Sequence, residues 1–444
     1  SNASLFSLLC LLTFIVAHLP QSTEGAYCHG HPKADAHKNL LPFIENKPTL
    51  IKSTKNGKLF HLSSDSGDDA LKILHVYGSA YEMGYAHGEL LADELKPFIG
   101  AIWEHVKEEI APFLSTIPKW ISDLIVEYGL EVALDLTYEI MSPHVAQYFM
   151  DELKGLSDGS GVNYKLIRRI HFIGELTQGK CSMLGAWNSA TVNGTTIQLR
   201  AFDWDTKGPF KDHPSIVVYH PNEGNNFANI GFIGWIGSFS GMSDQKMAIS
   251  EIGVAFPDES FGKETRWGIP FVFLLRDILQ WDKTLDDSIN RITSAARTCD
   301  LILGVGDGKM GAVRAFSYSY SQARVFDDMN LEPNNSTWHP RIRDTVYYGM
   351  DWNCPPYSQR LSERISANHG KIDAEVVARD LAALTATGNL QVSIYDLSHN
   401  YLYLAIARRS DVTQGEVYAY DRPYFKIDMS TLWDEPQAVI SKEE

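Results

Sequence analysis

Cysteine is scarce in this chain: five in 444 residues, with none in a CxxC pair. That excludes the zinc ribbons and redox dithiols that paired cysteines build. No basic block occurs, and 39 Lys and Arg stand against 55 Asp and Glu. A net charge of −16 leaves nothing to neutralise a phosphate backbone, so nucleic acid is excluded as a partner. Beyond the first residues no apolar run reaches the roughly 18 residues of a membrane-spanning helix, and no stable span is expected. Internal repeats, low-complexity tracts and domain-separating linkers are missing too. Gly304-Val-Gly-Asp-Gly308 lacks the lysine and following helix of a phosphate loop and reads as a turn between strands. Nothing calls for a cofactor or a metal.

What is present begins with Ser1-Asn2-Ala3, which reads as a tag remnant, and the 15-residue apolar run Leu5 to Leu19. That run suits a signal peptide, with small residues for cleavage after Gly25. Sequons at Asn193, Asn334 and Asn335 agree with export, so a secreted or lysosomal glycoprotein is expected. Cys10 would leave with the signal; Cys28, Cys181, Cys299 and Cys354 remain. A Cys28–Cys354 disulfide is one pairing they allow.

Residues 26–56 are polar and rich in His and Lys, and read as an extended lead-in. Strands are expected at Lys58–Ser64 and Leu71–Tyr77. A long helix follows, from the spacing of Leu90, Leu91, Leu95, Phe98, Ile99 and Ile102. More helices are expected over 118–140, 143–156 and 163–176, with Asn163 as an N-cap and Gly155–Gly161 as a turn. From Cys181 the period shifts towards two. Asn193-Gly194 marks a hairpin, and short strands are expected at Ser215–Tyr219, Phe227–Ile233, Gly237–Ser240 and Met247–Ile252. Helices over 268–280 and 284–297, then strands and helices to Ala407, complete an α+β pattern. The tail after 425 reads as a surface segment.

A lone cysteine at this seam suggests a chain cut between Lys180 and Cys181. An N-terminal cysteine supplies a thiol nucleophile and, in its own α-amine with a pKa near 8, a base. If Val192 pairs with Thr195, Cys181 lies opposite residue 206, with Asp203 and Asp205 close and Arg200 further along. Asp203 would orient the amine. Arg200 would hold Asp203, or face the sulfur and the substrate carbonyl. The plainer alternative is a buried thiol beside an ordinary ion pair.

Cys181-Ser-Met-Leu-Gly-Ala-Trp-Asn through Arg200-Ala-Phe-Asp203-Trp resembles the mature start of N-terminal-nucleophile (Ntn) hydrolases. The group it is most similar to is the acyl-coenzyme A:6-aminopenicillanic acid acyltransferase-like family; acid ceramidase and bile-salt hydrolases are more distant. Tyr81-Glu-Met-Gly-Tyr-Ala-His-Gly88, Gly155-Leu-Ser-Asp-Gly-Ser-Gly-Val162, Phe232–Met242 with Ile249-Ser-Glu251, and Thr387-Gly-Asn-Leu390 with Tyr395-Asp396 resemble further motifs of that family. The resemblance implies an αββα sandwich and self-cleavage. Residues 26–180 would form a helix-rich prosegment that stays bound to the catalytic body, 181–444. Cys181, Arg200 and Asp203 would be catalytic. Relatives place an Asn near the oxyanion; Ser243, Asp351 and Asn353 are the candidates here, with backbone N–H donors preferred. The expected activity is hydrolysis of a linear N-acyl or lipid-like amide. Acyl transfer to an amine, phospholipase B-like ester hydrolysis, or an unprocessed non-enzymatic glycoprotein are the alternatives. His87 is expected to pack. Trp187, Trp204, Trp235 and Trp352 suit either a core or an acyl pocket.

Overall fold

The computed structural model describes residues 30–114, 119–175, 180–254, 261–350, 355–410 and 415–438. Cys28, Cys354, Asp351, Trp352 and Asn353 lie outside them. Three strands open the fold: β1 (Thr49–Thr54), β2 (Gly57–Ser63) and β3 (Ala70–Gly78). Helices α1 (Ala80–Phe113), α2 (Lys119–Tyr128), α3 (Leu130–Met141), α4 (Gln147–Ser160) and α5 (Tyr164–Phe172) follow. Gly129, at φ 87°, divides the helix expected over 118–140 into α2 and α3. The Asn163 side chain accepts from the amides of Lys165 and Leu166 and caps α5, as the sequence indicates.

The glycines of 155–159 form no turn. They lie inside α4, and the chain turns only at Gly161, φ 67°. A Cβ on Gly84 would stand 2.1 Å from the Glu152 carbonyl oxygen, and one on Gly159 2.1 Å from that of Tyr85. Gly88 and Gly155 are equally crowded. The two glycine motifs are therefore the two sides of one close contact between α1 and α4.

The body continues with β4 (Lys180–Asn188), β5 (Gly194–Asp203), β6 (Pro214–Pro221), β7 (Phe227–Phe232), β8 (Gly241–Ser243) and β9 (Met247–Gly253). Helices α6 (Phe271–Trp281) and α7 (Leu285–Ser294) lead to β10 (Leu301–Asp307), β11 (Ala312–Tyr318), β12 (Ala323–Phe326) and β13 (Thr345–Tyr348). Then come α8 (Pro355–Asn368), a helical stretch over 374–385 (α9), β14 (Gln391–Asp396), β15 (Tyr401–Ile406), β16 (Phe425–Asp428) and α10 (Met429–Trp433). Of the tail after 425, residues 425–433 are thus an edge strand and a helix with buried Met429, Leu432 and Trp433, not a surface segment.

Two sheets form. One has ten strands, in the order β1-β2-β3-β6-β7-β8-β9-β10-β11-β12; the other has six, β13-β4-β5-β14-β15-β16. They stack most closely at glycines. A Cβ on Gly304 would meet Met183 at 2.5 Å, one on Gly306 would meet Gln198 at 2.3 Å, and one on Gly185 would meet Val313 at 2.4 Å. Gly304 and Gly306 are therefore mid-strand residues of β10, and the turn read at this motif falls later, over 308–311. Helices α1, α6 and α7 bury their apolar faces on the ten-stranded sheet, α2 to α5 pack against α1 and one another, and α8 and α9 cover the six-stranded sheet. The result is the four-layer αββα sandwich. Among the described residues no helix is long and apolar enough to cross a membrane.

Candidate active site

The site is built on the β4–β5 hairpin. Asn193 (φ 55°) and Gly194 (φ 70°) make the expected turn, with the Thr195 amide donating to the Val192 carbonyl at 3.2 Å. The arms do not close directly below it. Ala190 N–H donates to Trp187 O and Thr191 N–H to Asn188 O, while Thr191 bridges to Ile372. The ladder therefore starts at Asn188↔Gly194, with a bulge above Ala186. Cys181 lies opposite Phe202, not residue 206, and Arg200 lies opposite Met183. The extra coil brings Arg200 to within two residues of the cysteine along the paired strand.

Directly opposed side chains share a face. Cys181, Met183, Arg200 and Phe202 therefore face the ten-stranded sheet. Lys180, opposite Asp203, is exposed, whereas Cys181 is fully buried. Burial pushes the Cys181 thiol well above its ordinary range; the Arg200 charge and the Asp203 amide act the other way.

Arg200 is fully buried. Its Nη2 donates to Glu251 Oε2 on β9 at 3.3 Å, and its guanidinium stacks 4.1 Å over Phe202 and 5.2 Å from Phe239. Nε and Nη1 have no hydrogen-bond partner among the described residues. Burial drives the Glu251 carboxyl upward, opposed by Arg200.

Arg200 does not hold Asp203. A turn ahead of β14 does. Thr387 Oγ1 and the Gly388 amide each donate to Asp203 Oδ2 at 2.8 Å, and the Asn389 amide donates to Oδ1 at 2.9 Å. Gly388 sits at φ 86°, which lets the backbone curl around the carboxylate. With its one proton given to Asp203, Thr387 must accept from Ser182, whose hydroxyl is 2.6 Å away. The Asn389 side chain in turn accepts from the Trp204 amide at 2.8 Å. Burial raises the Asp203 carboxyl and the three donors pull against it.

A cavity of about 760 Å³ opens over this hairpin end. Lys180, Arg200, Phe202, Asp203, Glu251 and Asn389 line it near the cysteine. Phe210, Phe232, Trp235, Phe239, Phe271 and residues of α1 make its apolar wall. Trp204 and Trp235 are wall residues, whereas Trp187 lies in the core. Residues 237–240, expected as a strand, belong to the loop that carries Trp235 and Phe239. Two histidines anchor that loop. His87 of α1 accepts from the Gly234 amide at 2.8 Å, and His171 of α5 from the Ile236 amide at 3.0 Å. Each ring needs a bare nitrogen to accept, and burial holds both neutral, lowering His87 to about 3 and His171 to about 4. The packing role expected of His87 is what the structure shows.

Ser243 is not brought to the site. It ends β8, paired with Phe227 of β7 at the end away from Glu251, and does not line the cavity. Glu251, Thr387 and Asn389 stand in motifs that the sequence singles out, yet nothing in their spacing reveals contact with Arg200 or Asp203. The described residues contain no His, Cys, Asp and Glu cluster able to hold a metal ion.

No protein-family model matches the chain. It is 33% identical over 418 residues to Protein dcd1A of Dictyostelium discoideum, spanning 89% of this chain and 93% of that protein. With Protein dcd1B of the same organism it shares 34% identity over 412 residues, spanning 89% and 81%. Among solved structures it is similar to a Caenorhabditis elegans ortholog of N-acylethanolamine-hydrolyzing acid amidase, with TM-score 0.39 and 15% identity, covering 56% of this chain and 100% of that one. Penicillin V acylase from Agrobacterium tumefaciens gives TM-score 0.36 and 12% identity, covering 56% and 86%.

Proposed function

The chain belongs to the family of the Dictyostelium discoideum proteins dcd1A and dcd1B, and from the site geometry we propose that it is a self-processing cysteine amidohydrolase of the Ntn type. The observation that carries this reading is the placement of Cys181. It is a buried thiol one residue after an exposed lysine that lines a largely apolar cavity, with Arg200 and Asp203, which line the same cavity, on the paired strand.

Cleavage between Lys180 and Cys181 frees an α-amine beside Asp203. The amine takes the Sγ proton, and the sulfur attacks the acyl carbon of a linear N-acyl or lipid-like amide. As the C–N bond breaks, the amine half leaves with that proton and a thioester remains. Water then attacks the thioester, releasing the acid and restoring the thiol. Asp203, pinned by Thr387, Gly388 and Asn389, orients the α-amine and holds its charge. Arg200 favours the thiolate, and its unpartnered edge can receive developing negative charge, together with backbone amides.

Export as a secreted or lysosomal glycoprotein accompanies this reading. Asn193 is exposed on the hairpin turn, and Asn334 is exposed in its loop. Asn335 is half-buried and its side chain accepts from the Thr337 and Trp338 amides, so Asn334 is the better acceptor of a glycan.

Intact mass tests the processing. Wild type should give two pieces split before Cys181, and Cys181→Ala one uncut chain without turnover of N-acyl amides. An active, uncut wild-type chain would sink the proposal.

A further inference from the structure

The cavity has a second, polar end made by parts of the chain far apart in sequence. Part of the extended lead-in read over residues 26–56 is bound to the body. The Asn39 side-chain amide donates to the carbonyls of Tyr420 and Arg422 at 2.9 and 2.8 Å, and Tyr357 OH donates to the His31 carbonyl at 3.2 Å. This holds Lys33 at the cavity rim, with Nζ 4.3 Å from the Tyr418 ring centroid and 5.5 Å from that of Tyr420. The Lys33 carbonyl accepts from the Ala36 amide at 3.3 Å, whereas its ammonium makes no hydrogen bond and no ion pair among the described residues. Asp421 and Asp35 carry charge nearby, yet neither pairs with it.

A lysine has three donors and no acceptor. Held over ring faces, it keeps donors free for an anion. The same end holds Tyr357 and Tyr420, both close enough to Asp203 to feel its charge. It therefore lies beside the reacting centre. Its residues come from the lead-in and from the side of the six-stranded sheet, whereas the apolar wall comes from α1, α6 and the 233–240 loop.

We infer that Lys33, with Tyr418 and Tyr420, forms a subsite for the amine half of the substrate and selects an acidic head: a carboxylate, sulfonate or phosphate. This rests on the amidohydrolase reading and deepens it. The acyl chain fills the apolar wall, the scissile amide lies over Cys181, and the acidic amine departs past Lys33.

The test uses the purified processed protein with one acyl chain on four amines: N-octanoylglycine, N-octanoyltaurine, N-octanoylphosphoethanolamine and N-octanoylethanolamine. At least one of the three acidic amides should exceed the neutral one in kcat/KM by about tenfold, which also identifies the head group. Lys33→Met should remove that advantage, raising KM for the acidic amides by about tenfold relative to the ethanolamide. Lys33→Arg should keep it. An advantage that survives in Lys33→Met, or no advantage in wild type, overturns the subsite. Titration calorimetry separates the two proposals. If wild type cleaves none of the four, the amidase reading falls, while tighter binding of the acidic amides to wild type than to Lys33→Met still supports the subsite and equal binding rejects it.

Discussion

Arg200 occupies a position where its charge is needed twice. It answers the buried Glu251 carboxylate and it lowers the Cys181 thiol. Arg200→Met strands Glu251 without a partner, which should cost about 3–5 kcal/mol. Adding Glu251→Leu removes the stranded charge and should restore most of that stability, as denaturant unfolding would report. Activity should remain lost in the double variant; recovered turnover would show that Arg200 serves only the fold. Thr387 has a narrower part. Thr387→Val deletes one of three donors to Asp203 and the acceptor for Ser182, while the two backbone donors remain. Stability should fall by about 1 kcal/mol, and kcat by about tenfold with KM unchanged.

The α1–α4 contact tests how close packing competes with intrinsic helix preference. Alanine is favoured over glycine in a helix by about 1 kcal/mol. At Gly84 and Gly155, however, the new Cβ would stand 2.1 and 2.2 Å from backbone carbonyl oxygens of the facing helix. Backbone cannot swing aside as a side chain can, so the helices must separate. Gly84→Ala and Gly155→Ala should each destabilise by about 1–3 kcal/mol despite the better propensity. The same helix carries a pH signal. His87 is lowered by burial to about 3 from an ordinary 6.5. Its contribution to stability is complete above pH 6.5 and is lost as pH falls towards 3, because the unfolded chain takes up a proton that the folded one refuses. At pH 5 the loss is about 2 kcal/mol. His87→Gln keeps an acceptor for the Gly234 amide but cannot titrate, so the melting-temperature gap between pH 7 and pH 5 should narrow in that variant.

Across the whole molecule, the segment before residue 180 and the body after it share one sheet. β3 runs parallel to β6, in register from Lys72↔Ser215 to Gly78↔Pro221. Helices α1 and α5 also anchor the cavity loop through His87 and His171. A cut before Cys181 breaks none of these contacts. The two pieces should therefore co-elute in native size exclusion and separate only in denaturant; separation under native conditions would contradict the shared sheet.

Periodicity and turn chemistry were enough to read most elements, because these signals are local. The alternation after Cys181, the Asn193-Gly194 turn and the Asn163 cap each depend on a few neighbouring residues. Cys181, Arg200 and Asp203 lie on one hairpin, but their naming as a catalytic set came from the resemblance to Ntn hydrolases, because a buried thiol beside an ordinary ion pair fits the same residues. What needed the tertiary structure was every relation between distant segments. Glycines at 155, 159, 304 and 306 look like turn formers in sequence, and only the facing helix or sheet reveals them, together with Gly84 and Gly88, as points of close approach. The register slid because Thr191 found a partner at Ile372. Asp203 found its donors at 387–389, Arg200 its carboxylate at Glu251, and the cavity its cation at Lys33. A side chain's local pattern selects the element it lies in; which distant group meets it depends on how sheets and helices stack, and no spacing along the chain encodes that.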